Sequence, residues 1–522
     1  MMNAVKNTIS NMNNISVTEN GALGYKTTGS ALTDLNFRVS SMRTYISDDD
    51  IQLFIDAMNE NLEYAIKWLF FVRDIRGGLG ERDTFQTLFG VLSQYHKDEA
   101  LKVVSIIAEY GRWKDVVDLS MGLTISDEVR LCCLKLISTQ LRQDVVNYTE
   151  GKSISLLAKW MPSINASQKS RSAARELCKY LCLPFVDYRK MLSKLRKHLD
   201  VTEVKTCANK WGEIDYNKVS SNANLRYKDA FLKHDEARRR EYLKEILTPS
   251  ETSTAVMHAE NLYPYEIWYK YIGTDCWTRR YNSVTVTKDD SLEAMWRNLK
   301  EIGDCGNTMV VCDGSGSMCM QLNGSSVYAI DVARSLAVYF AERCDGQFKN
   351  QFIEFSSNPK FIDLRNCETL CDKIKIVNNY KDCSSTDIEK TFMIILKAAI
   401  ENNMTQADMP ERLLIVSDME FNEATTLSYN EDYMCRFKTL FDSIADQYAM
   451  HGFKMPKLVF WNVFSRTKTI PVTSNEAGVI LVSGFSVNIA TMVMSDQVDP
   501  WLVLKEQLDS PRYQLVSDKL NS

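Results

Sequence analysis

Much that would mark a membrane, secreted or thiolate-metal protein is missing from this 522-residue sequence. No apolar run approaches the roughly eighteen residues that a membrane-spanning helix needs. Residues 1–20 are rich in Asn, Ser and Thr, without the basic start and apolar core of a secretory signal, so a cytoplasmic protein is expected. Prolines number only 10, which argues against long disordered linkers. The 14 cysteines include no C-x-x-C pair. Cys178 with Cys182, and Cys367 with Cys371, stand at helical i, i+4 spacing with no histidine near, and Cys132, Cys133 and Cys312 sit in apolar stretches. That distribution reads as buried, reduced thiols and argues against both disulfides and zinc. The 5 histidines, His96, His198, His234, His258 and His451, lie beside no Cys, Ser or acidic cluster. With no G-x-x-x-x-G-K-[ST] loop, H-E-x-x-H helix or G-x-S-x-G elbow, the chain is expected not to be an enzyme.

What is present falls into two halves with different periods. Between residues 48 and 302 apolar residues recur every three or four positions. Ile51, Phe54, Ile55, Met58 and Leu62 form one such face, Leu101, Val104, Ile107 and Ala108 a second, and Leu131, Leu134, Ile137 and Leu141 a third. Short turns such as Arg76-Gly77-Gly78-Leu79-Gly80 separate the runs. One amphipathic helix pair cannot bury its own apolar face, so an all-α array of HEAT-like helical repeats is expected.

From residue 303 onward the pattern changes to strand, helix, strand, helix. Residues 308–312 and 412–417 are short apolar runs without polar alternation, as buried parallel strands need. Residues 351–355 and 360–364 are separated by four residues, too few for a parallel crossover, and should form a hairpin at the sheet edge. Further strands are expected at 457–464 and 478–482. Helices are expected at 327–344, 387–402 and 440–450, and near 487–494 and 501–508. The prediction is a multidomain chain: an N-terminal extension over 1–47, a helical-repeat domain over 48–302, and an α/β doubly wound, Rossmann-like domain over 303–522.

The strongest local signal is Asp313-Gly314-Ser315-Gly316-Ser317, directly after the first expected strand of the α/β domain. Ligands of open α/β sheets collect at the carboxyl ends of strands. A hard divalent cation takes about six oxygen ligands, several of them water. An Asp and two hydroxyls at i, i+2 and i+4 can converge in a glycine-bearing turn. Thr386 at the start of a helix and Asp418 after the strand 412–417 add two oxygens from loops at the same sheet edge. A capped turn is the bland alternative for the five-residue motif alone; the two further donors weigh against it. The cation is expected to be Mg²⁺, with Mn²⁺ or Ca²⁺ as substitutes.

This constellation resembles the metal-ion-dependent adhesion site of von Willebrand factor A domains, which read D-x-S-x-S, then Thr, then Asp. The resemblance implies direct ligation by Ser315 and Ser317, with Thr386 and Asp418 ligating directly or through water. It also implies an open position for an acidic group of a partner, and a supporting or solvated role for Glu420. The stretches Arg73-Asp74-Ile75-Arg76-Gly77-Gly78-Leu79-Gly80-Glu81-Arg82 and Gly111-Arg112-Trp113-Lys114-Asp115 extend the likeness. In a helical domain joined to a C-terminal A domain, they resemble the Ro autoantigen (TROVE) family. That resemblance implies helical repeats closed into a ring, a ribonucleoprotein role, and small noncoding or misfolded RNA as partners of a monomer, without a membrane.

Charge supports such a partner locally. The whole chain has 62 basic and 67 acidic residues, but residues 151–240 hold 20 Lys and Arg against 9 Asp and Glu, and residues 301–522 hold 20 against 29. A basic block on an acidic chain points to a polyanion. Lys169, Arg171, Arg175 and Lys179 have helical spacing; Arg189, Lys190, Lys194, Arg196 and Lys197 follow, then Arg238, Arg239 and Arg240. Trp160, Tyr180, Tyr188, Trp211, Tyr216 and Tyr227 interleave, a mixture suited to phosphate contact plus base stacking. Solvated helix faces and core aromatics are the plain alternative. The competing reading of the whole chain is a scaffold whose metal grips an Asp or Glu of a protein ligand.

Overall fold

The computed structural model describes residues 13–522 except 44, 274–275, 282–284, 304, 323–325, 346–347, 381–386, 423–439, 472–478, 496 and 498. The chain divides into two compact units, one made of Met1–Leu62 and Leu262–Asp509, the other of Glu63–Asn261 and Ser510–Ser522. The first is α/β and the second is helical, and no helix among the described residues is long and apolar enough to cross a membrane.

In the α/β unit a short hairpin, β1 (Ile15–Val17) and β2 (Leu23–Tyr25), precedes the main sheet. The sheet strands are β3 (Thr308–Asp313), β4 (Gln351–Phe355), β5 (Lys360–Asp363), β6 (Arg412–Ser417), β7 (Lys457–Asn462) and β8 (Val479–Ser483), in the spatial order β5-β4-β3-β6-β7-β8. Only β5 runs antiparallel, as the edge partner of β4. Every residue of β3 is buried, and β6, β7 and β8 are buried almost throughout, which explains their unbroken apolar runs. The helices Ala329–Ala341 and Ile388–Glu401 cover the sheet, the former buried along its whole length. Val311, Ile415 and Phe460 pack with Phe392 and Tyr448 in one core. From β3 the chain moves outward first to β4 and β5, then returns to β6 on the other side. The strand order therefore reverses between β3 and β6, and the crevice between the carboxyl ends of strands at such a reversal is where open α/β sheets bind their ligands.

The contacts do not divide the chain at 47/48 and 302/303. Residues expected to form a separate extension are built into the α/β unit. Ala22 and Phe37 enter its core, Thr18 Oγ1 donates to the Phe421 carbonyl, and Asn462 donates to the Phe37 carbonyl. The helix Asp48–Glu60 is capped by Ser47 and tied by Asp50 to Lys468 at 2.9 Å. Residues 262–302 keep their helical period but pack against the same unit. Trp296 donates to Glu342, and Glu293 accepts the first N–H groups of the helix Leu370–Asn378. Helical periodicity names an element and not the neighbour against which it packs. β8 is described from Val479; residue 478, where the sequence begins this strand, lies outside the described residues.

The helical unit is organised around Leu62–Arg73, whose residues from Ala65 to Arg73 are all buried. Arg73 forms a buried ion pair with Asp115, at 2.9 Å from Nε and 2.7 Å from Nη2 to the same oxygen. Gly111 lies against this pair; a Cβ there would stand 2.2 Å from the Asp115 carboxylate. The two stretches that carried the family likeness thus meet in space and hold each other. Asp74 receives Arg512 at 2.8 and 2.9 Å and the Tyr513 hydroxyl at 3.2 Å, while Tyr513 stacks on Tyr110. These contacts fasten residues 510–522 to the unit. In the helix Asp127–Thr149 the buried stripe is Val129, Cys133, Ile137 and Leu141; Leu131, expected inside, is 51 % exposed. An i, i+4 row won over the mixed i, i+3 row read from the sequence.

Candidate functional site

The metal-like constellation assembles at the point where the strand order reverses. Asp313 ends β3 and is fully buried; one carboxylate oxygen accepts the Ser315 N–H at 2.9 Å and the other the Ser417 hydroxyl at 2.5 Å. The Ser315 and Ser317 hydroxyls are 2.9 Å apart. Ser317 in turn hydrogen-bonds Asp418, which follows β6 and is also fully buried. Four of the five expected donors, Asp313, Ser315, Ser317 and Asp418, therefore share one crevice. Thr386 lies outside the described residues; the helix that follows it begins at Ile388 with Asp387 as its N-cap.

Local geometry explains the residue types. A Cβ on Gly314 would stand 2.7 Å from a Glu354 carboxylate oxygen. That carboxylate is held by Arg334 at 2.6 and 3.2 Å, an ion pair buried on both sides. Glycine lets the loop pass over the pair. Across the crevice Met419 adopts φ 66°, a left-handed conformation costly for a residue with a Cβ, and its N–H is received by Ser417 Oγ at 2.9 Å. This reversal places Asp418 at the crevice.

Burial, and next the charge of Asp313, push the Asp418 carboxyl well above the usual carboxylate range. Burial likewise raises Asp313, against hydrogen bonds from Ser417 and Ser315 that favour its charged form. Burial of neighbouring carboxylates disfavours their charged forms, and a divalent ion bound between them would displace any protons they hold. All four donors are hard oxygens, suited to Mg²⁺, Mn²⁺ or Ca²⁺ and not to a thiolate-seeking metal. Among the described residues no three His, Cys, Asp or Glu side chains cluster as a metal site would require.

Sequence reasoning missed the frame around these donors. Glu420 is not solvated: it is fully buried and accepts the N–H groups of Glu19, Arg466 and Thr467 at 2.8–2.9 Å. It fixes the loop after β6 and supports the site without facing it. Arg466 stands 3.5 Å from Asp418 and also pairs with Glu19. Neither Glu19 nor Arg466 carries a recognisable motif, and they are separated by most of the chain.

The basic block lies on two helices, Gln168–Leu181 and Phe185–His198. Lys169, Arg171, Arg175, Lys179, Arg189, Lys190, Lys194 and Lys197 are exposed. Apart from Arg171, whose Nε donates to the Ile164 carbonyl, these residues form no ion pair or hydrogen bond among the described residues. Arg196 differs. Its guanidinium donates to the carbonyls of Ala158 and Met161 and to Ser163, so it braces the turn and offers no free face. Arg238 to Arg240 are structural as well. Arg239 is buried beneath Tyr216, Phe231 and Tyr242, Arg238 holds the Gly212 and Ile214 carbonyls, and Arg240 pairs with Glu236. Of the interleaved aromatics, Tyr188 and Tyr216 are core residues, Trp211 stacks on His234, and Tyr180 is exposed. Beside the second helix lies a cavity of about 550 Å³, with Leu192 and Val204 in its wall and Arg189 and Lys197 among its cations.

The Gly77-Gly78-Leu79-Gly80 turn is a tight connection. A Cβ at Gly78 would stand 2.0 Å from the Phe71 carbonyl oxygen, and the N–H groups of Gly78 and Leu79 are taken by the carbonyls of Asp74 and Phe71. Those donors are unavailable for an anion nest.

Two family models match the chain. Residues 307–510 match a domain of unknown function, DUF7788, and residues 165–307 match a second, DUF2828. Their junction falls immediately before β3. Over 532 aligned residues the sequence is 28 % identical to "Uncharacterized protein L728" of Acanthamoeba polyphaga mimivirus, covering 95 % of this chain and 88 % of that one. Neither description names a chemistry, so the site geometry carries the functional reading, and the relationship shown is similarity to these two domain types and to that viral protein.

Proposed function

We propose that the protein is a cytoplasmic, Ro-like RNA-binding protein and not an enzyme. In this reading the α/β unit is a von Willebrand A-type domain that holds a divalent cation, and the helical unit is a HEAT-like array that engages noncoding or misfolded RNA. The observation that carries the metal part is the convergence of Asp313, Ser315, Ser317 and Asp418 at the point where the strand order reverses. These residues would hold Mg²⁺, which would supply a Lewis-acid position for an acidic oxygen of a ligand. The RNA part is supported by eight exposed cations without carboxylate partners on two successive helices. Cations held in no fixed geometry suit a phosphate chain, whose binding is driven by counterion release.

Titration of labelled single-stranded and hairpin RNA over a salt series tests the second part. Neutralising about six phosphates should cost roughly a thousandfold in affinity between about 50 and about 200 mM salt. Calorimetric titration with Mn²⁺ tests the first: wild type binds, and Asp313→Ala loses binding while keeping its circular dichroism spectrum. A second reading, a metal-dependent scaffold for a protein ligand, is favoured by the hydroxyl-rich donor set, which leaves the cation with positive charge to share. Absent RNA affinity together with intact Mn²⁺ binding would select it.

A further inference from the structure

One pair of cysteines is placed by the fold where the sequence gives no hint of it. The Sγ atoms of Cys276 and Cys319, 43 residues apart, are 2.6 Å from each other. Both thiols are reduced and buried, with 6 % and 1 % exposure. A bonded pair would need only about 0.5 Å more approach to reach the ~2.05 Å of a disulfide.

The two sulfurs stand on braced elements. Cys276 opens the helix Cys276–Tyr281, and one turn on Arg279 makes a buried two-point ion pair with Asp331, at 2.7 Å for each bond, on the helix Ala329–Ala341. Cys319 closes the 3₁₀ turn Ser317–Cys319, with its N–H on the Gly316 carbonyl at 3.1 Å. The chain beyond is held by the Ala329 N–H on the Met320 carbonyl. These contacts fix the two backbone segments from which the sulfurs extend. The Cys319 hydrogen bond, with the Arg279 guanidinium behind it, also holds the Cys276 thiol below its ordinary value, and the thiolate is the reactive form.

We infer that Cys276 and Cys319 are a redox pair that closes to a reversible disulfide when a small peroxide reaches Cys276. The Cys276 thiolate attacks one peroxide oxygen, the O–O bond breaks, and the products are a sulfenic acid and hydroxide, which takes up a proton as water. The Cys319 sulfur then attacks the sulfenic sulfur, the S–S bond forms, and the sulfenic oxygen leaves as a second water. Two thiols and one hydrogen peroxide give one disulfide and two waters; a dithiol reductant reverses the bond by exchange. Closure ties the turn that begins at Ser317 to the helix Cys276–Tyr281. It is independent of whether that turn also carries a metal.

The test uses the full-length protein, first reduced, then exposed to dilute hydrogen peroxide, then unfolded in an alkylating agent and digested for mass spectrometry. The expected result is the loss of two alkylatable thiols and a peptide containing Cys276 joined to one containing Cys319, two hydrogens lighter than the pair and absent after dithiothreitol. In Cys276→Ser the joined peptide disappears and Cys319 is alkylated; Cys319→Ser gives the reciprocal outcome. Should either variant fail to fold, the wild-type map decides alone. Recovery of both cysteines in alkylated form, or as separate sulfinic acids, after peroxide has oxidised the exposed Cys182 and Cys207 overturns the inference.

Discussion

The crevice between β3 and β6 and the helices Gln168–Leu181 and Phe185–His198 treat charge in opposite ways. In the α/β unit Arg334 meets Glu354, Arg279 meets Asp331, and Asp313 and Asp418 are enclosed, so each of these groups has a fixed neighbour. On the basic helices eight exposed cations have no carboxylate to meet them. A buried charge costs several kcal/mol to desolvate and is tolerated only in set geometry. An exposed one costs little and remains available. The first arrangement suits one small ion in one place, the second a long flexible polyanion.

The contrast can be broken from either side. The largest effect is expected from Glu354→Ala, which strands buried Arg334; it should cost about 3–5 kcal/mol in urea unfolding, and a loss under about 1 kcal/mol would show the enclosed pair to be dispensable. Replacing Lys169, Arg171, Arg175 and Lys179 together by Ala should lower RNA affinity about a hundredfold near 100 mM salt and flatten the salt slope by about 3 to 4, with the melting temperature little changed. A smaller effect concerns pH. Asp313 and Asp418 have raised values in the fold, so the folded chain binds their protons more tightly than the unfolded chain does. Without metal this contribution to stability is lost as pH rises from the ordinary carboxylate range toward about 8. Added Mg²⁺ must displace those protons, so its stabilising shift in melting temperature should grow between about pH 6 and about pH 8; a shift that shrinks over that range would count against ligation by these carboxylates. The smallest effect is Lys194→Ala, expected to stay within about 0.5 kcal/mol in stability because its side chain touches nothing that must be kept.

The sheet was legible because a strand buried on both faces must be apolar throughout, as in Met309–Cys312 and Leu413–Val416. The four-residue gap before Lys360 foretold the antiparallel edge for a simple geometric reason, since no parallel crossover fits in it. Donors at strand ends were readable because each follows its strand directly. What could not be read was long-range partnership. The residues near Thr18 to Ser40 carry Leu32, Leu35, Phe37 and Val39, all buried in the fold, and Thr18 and Ser40 add hydrogen bonds to the α/β unit; a single helix of 8 residues is too short for its period to reveal what it packs against. Arg196 and Arg239 look the same in sequence as their exposed neighbours; only the carbonyls and rings around them reveal that they brace the fold.

The division of the helical unit has a consequence for how it comes into being. Its closing residues Arg512 and Tyr513 emerge from the ribosome only after about 250 residues of the other unit have been made. Until then Asp74, buried in the finished fold, lacks the guanidinium and hydroxyl that satisfy it. A nascent chain stalled within the α/β unit would carry a helical array whose Asp74 carboxylate keeps the Arg76 N–H but lacks its other partners, so the array gains its full stability only when Arg512 and Tyr513 arrive.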